Sequence, residues 1–201
     1  MTLTDMADYA ADADFKAESL TYDRTLAAGG YHSLCLPFAV TTEKLGSGSK
    51  LFTLSAVDTD AVTLNEVDEV AAGTPCFASV TSAFNFGTMT DVAMVKDANN
   101  SGTIKGTFTN NDALGAGFYK LSPNGTYFGL TTDGATATAF RSYIPAGGGS
   151  VKTLNILLSD GTSLTPTLSE EKEAVIYDLA GRRVTKATKG IYIVNGKKMM
   201  K

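Results

Sequence analysis

Tryptophan is absent from this 201-residue chain, and histidine occurs once, at His32. The first absence removes the largest aromatic face a protein can offer to a sugar ring. The second removes most of the imidazole chemistry on which general-base catalysis and metal ligation draw. Cysteine is nearly as scarce. Cys35 and Cys76 are the whole supply, no C-x-x-C occurs, and a zinc site of ordinary Cys/His spacing cannot be assembled. A Ser/His/Asp or Cys/His group would have to recruit His32. In an extended strand His32 and Cys35 point to opposite faces and are poorly placed to pair. The cysteines sit in apolar runs, Ser33-Leu34-Cys35-Leu36 and Thr74-Pro75-Cys76-Phe77. Either a disulfide joins neighbouring strands or both are buried thiols; a domain this large does not need the bridge, which favours thiols.

Charge is sparse as well, with 21 acidic and 17 basic residues and a formal net charge of −4. A mildly acidic chain repels a phosphate backbone, so no nucleic-acid partner is expected. The late basic cluster of Arg182, Arg183, Lys186, Lys189, Lys197, Lys198 and Lys201 reads as a solvated surface. No apolar run approaches the ~20 residues that cross a bilayer, so no membrane span is expected. Met1 to Asp14 is acidic and has no apolar centre, unlike a signal peptide; export would require a signal upstream of Met1. Gly147-Gly148-Gly149-Ser150 leads into an apolar strand pattern rather than a helix, so it cannot cradle phosphate and no nucleotide cofactor is expected.

What the chain has instead is glycine, 20 residues of it, with abundant threonine and serine. Turn-forming and β-favouring residues outweigh helix formers. Glu18 to Leu26 alternates, with Leu20, Tyr22 and Arg24 on one face and Ser19, Thr21 and Asp23 on the other. Tyr31 to Phe38 is more continuously apolar, as a strand buried on both faces reads. Further strands are expected over 50–57, 61–67, 76–80, 91–96, 102–109, 117–121, 126–131, 136–144 and 151–158, separated by Gly-, Asn- and Asp-bearing turns and by a polar loop over 41–50. This spacing predicts an all-β protein: an antiparallel β-sandwich, jelly-roll-like, over residues 1–158. A linker over 159–173 follows, where Thr167 and Glu170 offer a competing capping box. Residues 174–201 then read as a small C-terminal unit of two β-hairpins, the second turning at Asn195-Gly196.

Chemistry-bearing groups are few. Asp97, Asn99 and Ser101, with Gly102, match the first half of a calcium loop, but Phe108 stands where the bidentate acid belongs. An Asn-rich turn is the plainer reading, and no metal is expected. Asn124-Gly125-Thr126 is a formal glycosylation sequon and equally a turn. Asp58, Asp60, Glu66, Asp68 and Glu69 are dense enough to supply a carboxylate pair for glycoside hydrolysis, though such residues at strand ends are ordinarily solvated. Tyr31, Tyr119, Tyr127, Phe128 and Tyr143 lie in or beside strands, where most aromatics face the core. No catalytic residue is assigned.

Two stretches resemble secreted surface proteins of Bacteroidota. Phe15-Lys16-Ala17, Leu20-Thr21-Tyr22-Asp23-Arg24 and Tyr31-His32-Ser33-Leu34-Cys35-Leu36-Pro37-Phe38 are similar to the opening of a β domain often found after leucine-rich repeats. Ala71-Ala72-Gly73-Thr74-Pro75 resembles that family's next landmark, with Cys76 in place of the customary aromatic, and Phe140-Arg141-Ser142-Tyr143-Ile144 resembles a late strand. Ile176 to Val184 and Lys189 to Lys198 look like the type IX secretion sorting segment. The resemblance implies export and display outside the cell, not a reaction. The expected function is therefore a non-enzymatic module for adhesion or for contact with a glycan or host-matrix protein. A carbohydrate-active enzyme or its accessory domain is the rival, and a spacer presenting an upstream domain is the third possibility.

Overall fold

The structure, a computed structural model, describes residues 1–149 and 151–160, and the strand residues 176–177, 183–184, 191–194 and 197–200. The chain divides into two compact units, Met1–Thr165 and Pro166–Lys201. The fold is all-β, as the alternating sequence predicts. The first unit contains β1 (Thr2–Leu3), β2 (Phe15–Leu26), β3 (His32–Leu34), β4 (Val40–Thr41), β5 (Lys50–Val57), β6 (Ala61–Val67) and β7 (Glu69–Val70). It continues with β8 (Cys76–Ser79), β9 (Phe84–Met94), β10 (Lys105–Thr107), β11 (Phe118–Leu121), β12 (Phe128–Leu130), β13 (Arg141–Pro145) and β14 (Thr153–Leu158). One helical turn, α1 (Thr42–Leu45), stands in the stretch expected to be a loop; Thr41 caps it by accepting from the Lys44 amide at 3.3 Å.

A three-stranded sheet, ordered β1-β2-β9, accompanies a nine-stranded sheet ordered β10-β13-β11-β12-β14-β6-β5-β8-β3. Most pairings are antiparallel, but β1 with β2 and β14 with β6 are parallel, which the antiparallel expectation did not include. The large sheet curls until β13 packs beside β3, giving a nearly closed barrel. The seam is stitched by the Cys35 amide donating to the Phe140 carbonyl at 3.1 Å and by Ser142 Oγ donating to the Cys76 carbonyl at 3.2 Å.

This arrangement creates two apolar cores that share strands. Leu20, Tyr22 and Met94 of the small sheet belong to one core with Leu51, Cys76 and Ala78. Phe52 and Phe77, each adjacent in sequence to one of those residues, belong to the second core with Val62, Phe128 and Ile156. Strands β5 and β8 are thus buried on both faces over these residues, which is why their sequences are apolar without alternation. On β2 the alternation is retained, and Leu20, Tyr22, Arg24 and Leu26 are buried in turn.

The second unit contains β15 (Ile176–Tyr177), β16 (Arg183–Val184), β17 (Ile191–Val194) and β18 (Lys197–Met200). They form an antiparallel sheet ordered β16-β15-β17-β18. The turn expected at Asn195-Gly196 lies outside the described residues, as does the linker expected over 159–173 beyond Asp160.

Two loops of the first unit meet backbone to backbone. Gly125 has φ +68°, and a Cβ on it would lie 2.2 Å from the Tyr31 carbonyl oxygen. The Tyr31 amide donates to the Gly125 carbonyl at 2.8 Å across this contact. Gly29 also has positive φ, +78°, but faces open space. Gly125→Ala is expected to cost about 3 kcal/mol, from left-handed strain plus overpacking, and Gly29→Ala only about 1 kcal/mol. Urea midpoints of the two variants test this, and equal losses would mean that the close approach is not needed.

Candidate functional site

The inward face of β2 carries an arginine among apolar residues, and a buried guanidinium requires partners. Arg24, 8% exposed, donates through Nη1 to the Ser33 carbonyl at 3.1 Å and stands 4.0 Å from Asp5 Oδ2. Asp5 comes from the segment between β1 and β2. Its two oxygens accept from Arg141 Nη1 and Nη2, both at 2.8 Å, in a bidentate pair. The Tyr22 hydroxyl donates to the same carboxylate at 2.9 Å. Tyr22's ring is fully buried, edge-on to Phe38 and Phe140 at centroid distances of 6.1 and 5.5 Å, so one side chain ties the charges to the first core. Phe140 itself has φ +62°, an unfavourable conformation for a bulky residue, held by its complete burial and by its amide donating to the Thr107 carbonyl at 2.8 Å. Arg141, directly after this kink, begins β13 and reaches Asp5.

Burial opposes ionisation of Asp5, but the Arg141 hydrogen bonds, the charges of Arg141 and Arg24 and the Tyr22 hydroxyl outweigh it, and its carboxyl titrates below the usual value of 3.8. Burial and the neighbouring Arg141 charge lower the proton affinity of Arg24. For Arg141 burial acts in the same direction, but Asp5 reverses the balance and raises it. Both guanidiniums remain cations facing one carboxylate.

A cleft of about 270 Å³ opens beside this cluster, bordered by Arg24, His32, Lys120, Ser122, Thr138 and Arg141. Tyr31 and Tyr143 also contribute to its lining. Lys120 Nζ donates to the Thr136 carbonyl at 3.1 Å and lies 5.8 Å from the centre of the Tyr143 ring. His32 Nε2 donates to the Ala27 carbonyl at 2.8 Å. Burial lowers the histidine's pKa, the carbonyl opposes this, and the two arginines reinforce it, so the imidazole is neutral at physiological pH. The turn after β11 forms one side of the cleft: Ser122 Oγ accepts from the Thr126 and Tyr127 amides at 3.1 and 3.2 Å.

The groups singled out from sequence fall elsewhere. Asp97 pairs with Lys96, and Asn99 Oδ1 accepts from Ser101 Oγ at 2.7 Å. The ammonium of Lys105 donates to the carbonyls of Asn100 and Gly102 at 2.6 and 3.0 Å, filling the interior of that loop with a cation of the chain's own. Among the described residues no three His, Cys, Asp or Glu side chains form a group able to hold a metal ion. Asn124 Oδ1 accepts from Ser122 Oγ and Thr126 Oγ1, both at 2.8 Å, so the sequon is a self-bonded turn. Asp58, Asp60, Asp68 and Glu69 are exposed, and Glu66 pairs with Lys50 at 2.7 Å. Cys35 and Cys76 are buried free thiols; burial pushes Cys35 up to about 12 and raises Cys76 as well. Of the five aromatics considered, Tyr31, Tyr119, Phe128 and Tyr143 are buried and Tyr127 is exposed. No helix among the described residues is long and apolar enough to cross a membrane.

Asp5, Lys120 and Thr138 carried no signal in the sequence. Arg24 did: a charge on the face shared with Leu20 and Tyr22 marks a position that must find an anion. No protein-family model matches the chain, and no curated protein or solved structure matches it either.

Asp5→Asn leaves two buried guanidiniums without their counter-ion and is expected to cost about 3 kcal/mol at neutral pH. The folded-state pKa of Asp5 is depressed, so its contribution is complete above the unfolded value of 3.8 and is lost as pH falls through the lower folded value. Urea titrations should therefore show the gap between the native chain and Asp5→Asn narrowing below pH 3.8. A gap that stays constant into strong acid would contradict this account.

Proposed function

We propose that this chain is a non-enzymatic, secreted surface module that contacts a glycan or host-matrix partner through the cleft beside Arg24 and Arg141. The observation that carries the reading is the make-up of that cleft: the cationic side chains of Arg24, Lys120 and Arg141 beside the hydroxyls of Ser122, Thr138 and Ser142. Hydroxyls and guanidiniums suit a polyhydroxylated ligand. The volume of about 270 Å³ lies just under the roughly 300–1,000 Å³ of drug-sized sites, which suits one or two sugar units rather than a long chain held end to end.

Charge favours binding over hydrolysis at this cleft. Glycoside hydrolysis ordinarily employs two carboxylates flanking the scissile bond. Among the described residues no carboxylate lines this cleft, and the adjacent Asp5 is committed to Arg141. The resemblance to Bacteroidota surface proteins supports export, and the likeness of the C-terminal segment to a sorting domain supports display on the cell exterior.

The full chain is to be assayed against a panel of neutral and acidic glycans and matrix proteins. Binding is expected for a subset of glycans, and Thr138→Val, which removes a hydroxyl from the cleft lining, should weaken it about fivefold. Uniformly negative results at high protein concentration would sink the reading and leave the structural spacer.

A further inference from the structure

We propose that the cleft selects an anionic saccharide, one bearing a carboxylate or a sulfate ester, with that group seated between Arg24 and Lys120. The inference rests on the glycan-contact reading and narrows it to a ligand class. Its basis is an imbalance of charge. Among the described residues, Arg24, Lys120 and Arg141 bring three cationic side chains to the cleft, and no carboxylate lines it. Asp5, behind them, is the one carboxylate among the described residues that acts on both guanidiniums. It satisfies Arg141 in a bidentate pair but stands 4.0 Å from Arg24.

The donors of Arg24 are incompletely used. Its guanidinium donates to the Ser33 carbonyl and meets the Tyr22 hydroxyl, and its carboxylate partner Asp5 lies 4.0 Å away, although a guanidinium has five N–H groups. Such a side chain, 8% exposed, loses hydration that Asp5 at 4.0 Å only partly replaces. A ligand anion in the cleft would supply the missing acceptor. Lys120, whose ammonium is held by the Thr136 carbonyl above the Tyr143 ring, adds a second cation to the border. His32, whose Nε2 donates to the Ala27 carbonyl, is neutral and adds no charge to the cleft, so the attraction for an anion comes from the arginines and Lys120. The chain as a whole carries −4, so this positive patch is local rather than a consequence of composition.

Calorimetric titration of the full chain with trigalacturonate, with its fully methyl-esterified counterpart, with a sulfated galactose disaccharide and with inorganic sulfate tests the proposal. One acidic sugar is expected to bind at least about tenfold more tightly than the neutral ester, with an advantage that shrinks as sodium chloride is added. Which acidic sugar binds distinguishes carboxylate from sulfate. Lys120→Met, outside the ion cluster of Asp5, Arg24 and Arg141, should shrink the acidic sugar's advantage over the ester several-fold, and an undiminished advantage would overturn the role of Lys120 in seating the anion. Equal affinity for acid and ester would overturn the anionic selectivity while the glycan-contact reading stood. Inorganic sulfate binding as tightly as either acidic sugar would overturn the saccharide part. If glycans of the panel bound but none of these acidic probes did, the selectivity would fail alone; no binding by any glycan would take the broader reading with it.

Discussion

The ion cluster of Asp5, Arg24 and Arg141 is the constraint on which the rest of the first unit depends. Charges withdrawn from water cost several kcal/mol each unless their partners are well placed. Here the partners come from three separate parts of the chain: the segment after β1, the inward face of β2 and the start of β13. The cluster can form only when all three have arrived. It therefore joins the small sheet to the seam of the large one through polar contacts that have one satisfactory geometry, where apolar packing alone would tolerate several. Tyr22 reinforces the junction, with its ring among Phe38, Phe86 and Phe140 and its hydroxyl on Asp5.

The same junction produces the cleft. Arg24 and Arg141, tied to Asp5, line the cleft together with Lys120, Ser122 and Pro123 around the turn after β11 and Thr138 ahead of β13. Phe140 adopts a left-handed conformation immediately before Arg141, so one residue drops into the core while the next reaches the ion cluster. Backbone strain of this kind persists where the surroundings over-determine it. The cleft and the ion cluster thus share residues in this protein, while Lys120, which also lines the cleft, lies outside the cluster.

Much of the fold was legible in the sequence for an identifiable reason. Strands β5 and β6 occupy the residues expected of them because side-chain alternation and the intervening Asp-rich turn are local properties. Both-face burial near Cys35 and Cys76 was readable from unbroken apolar runs. The two-residue strands β1, β4 and β7 were not readable, since so short a segment has no period to detect. The first half of β9 also escaped, since Gly87 at φ +59° interrupts the pattern that alternation needs.

The candidate site was almost illegible, and the motifs that drew attention lay elsewhere. The half calcium loop at Asp97 closes on Lys105, and the sequon at Asn124 closes on its own hydroxyl neighbours. Both are local satisfactions of local polarity. The sequence by itself determined the all-β class, the inward face of β2 and the presence of an arginine there that had to be neutralised, because these follow from residue spacing along one strand. Only the tertiary structure decided that Asp5 would be the neutralising group, that Arg141 would share it, and that Lys120 would border the cleft beside them. Asp5 and Arg141 are separated by 136 residues, and no periodicity or propensity carries information over that distance. Their meeting is set by which strands pair and where the large sheet closes.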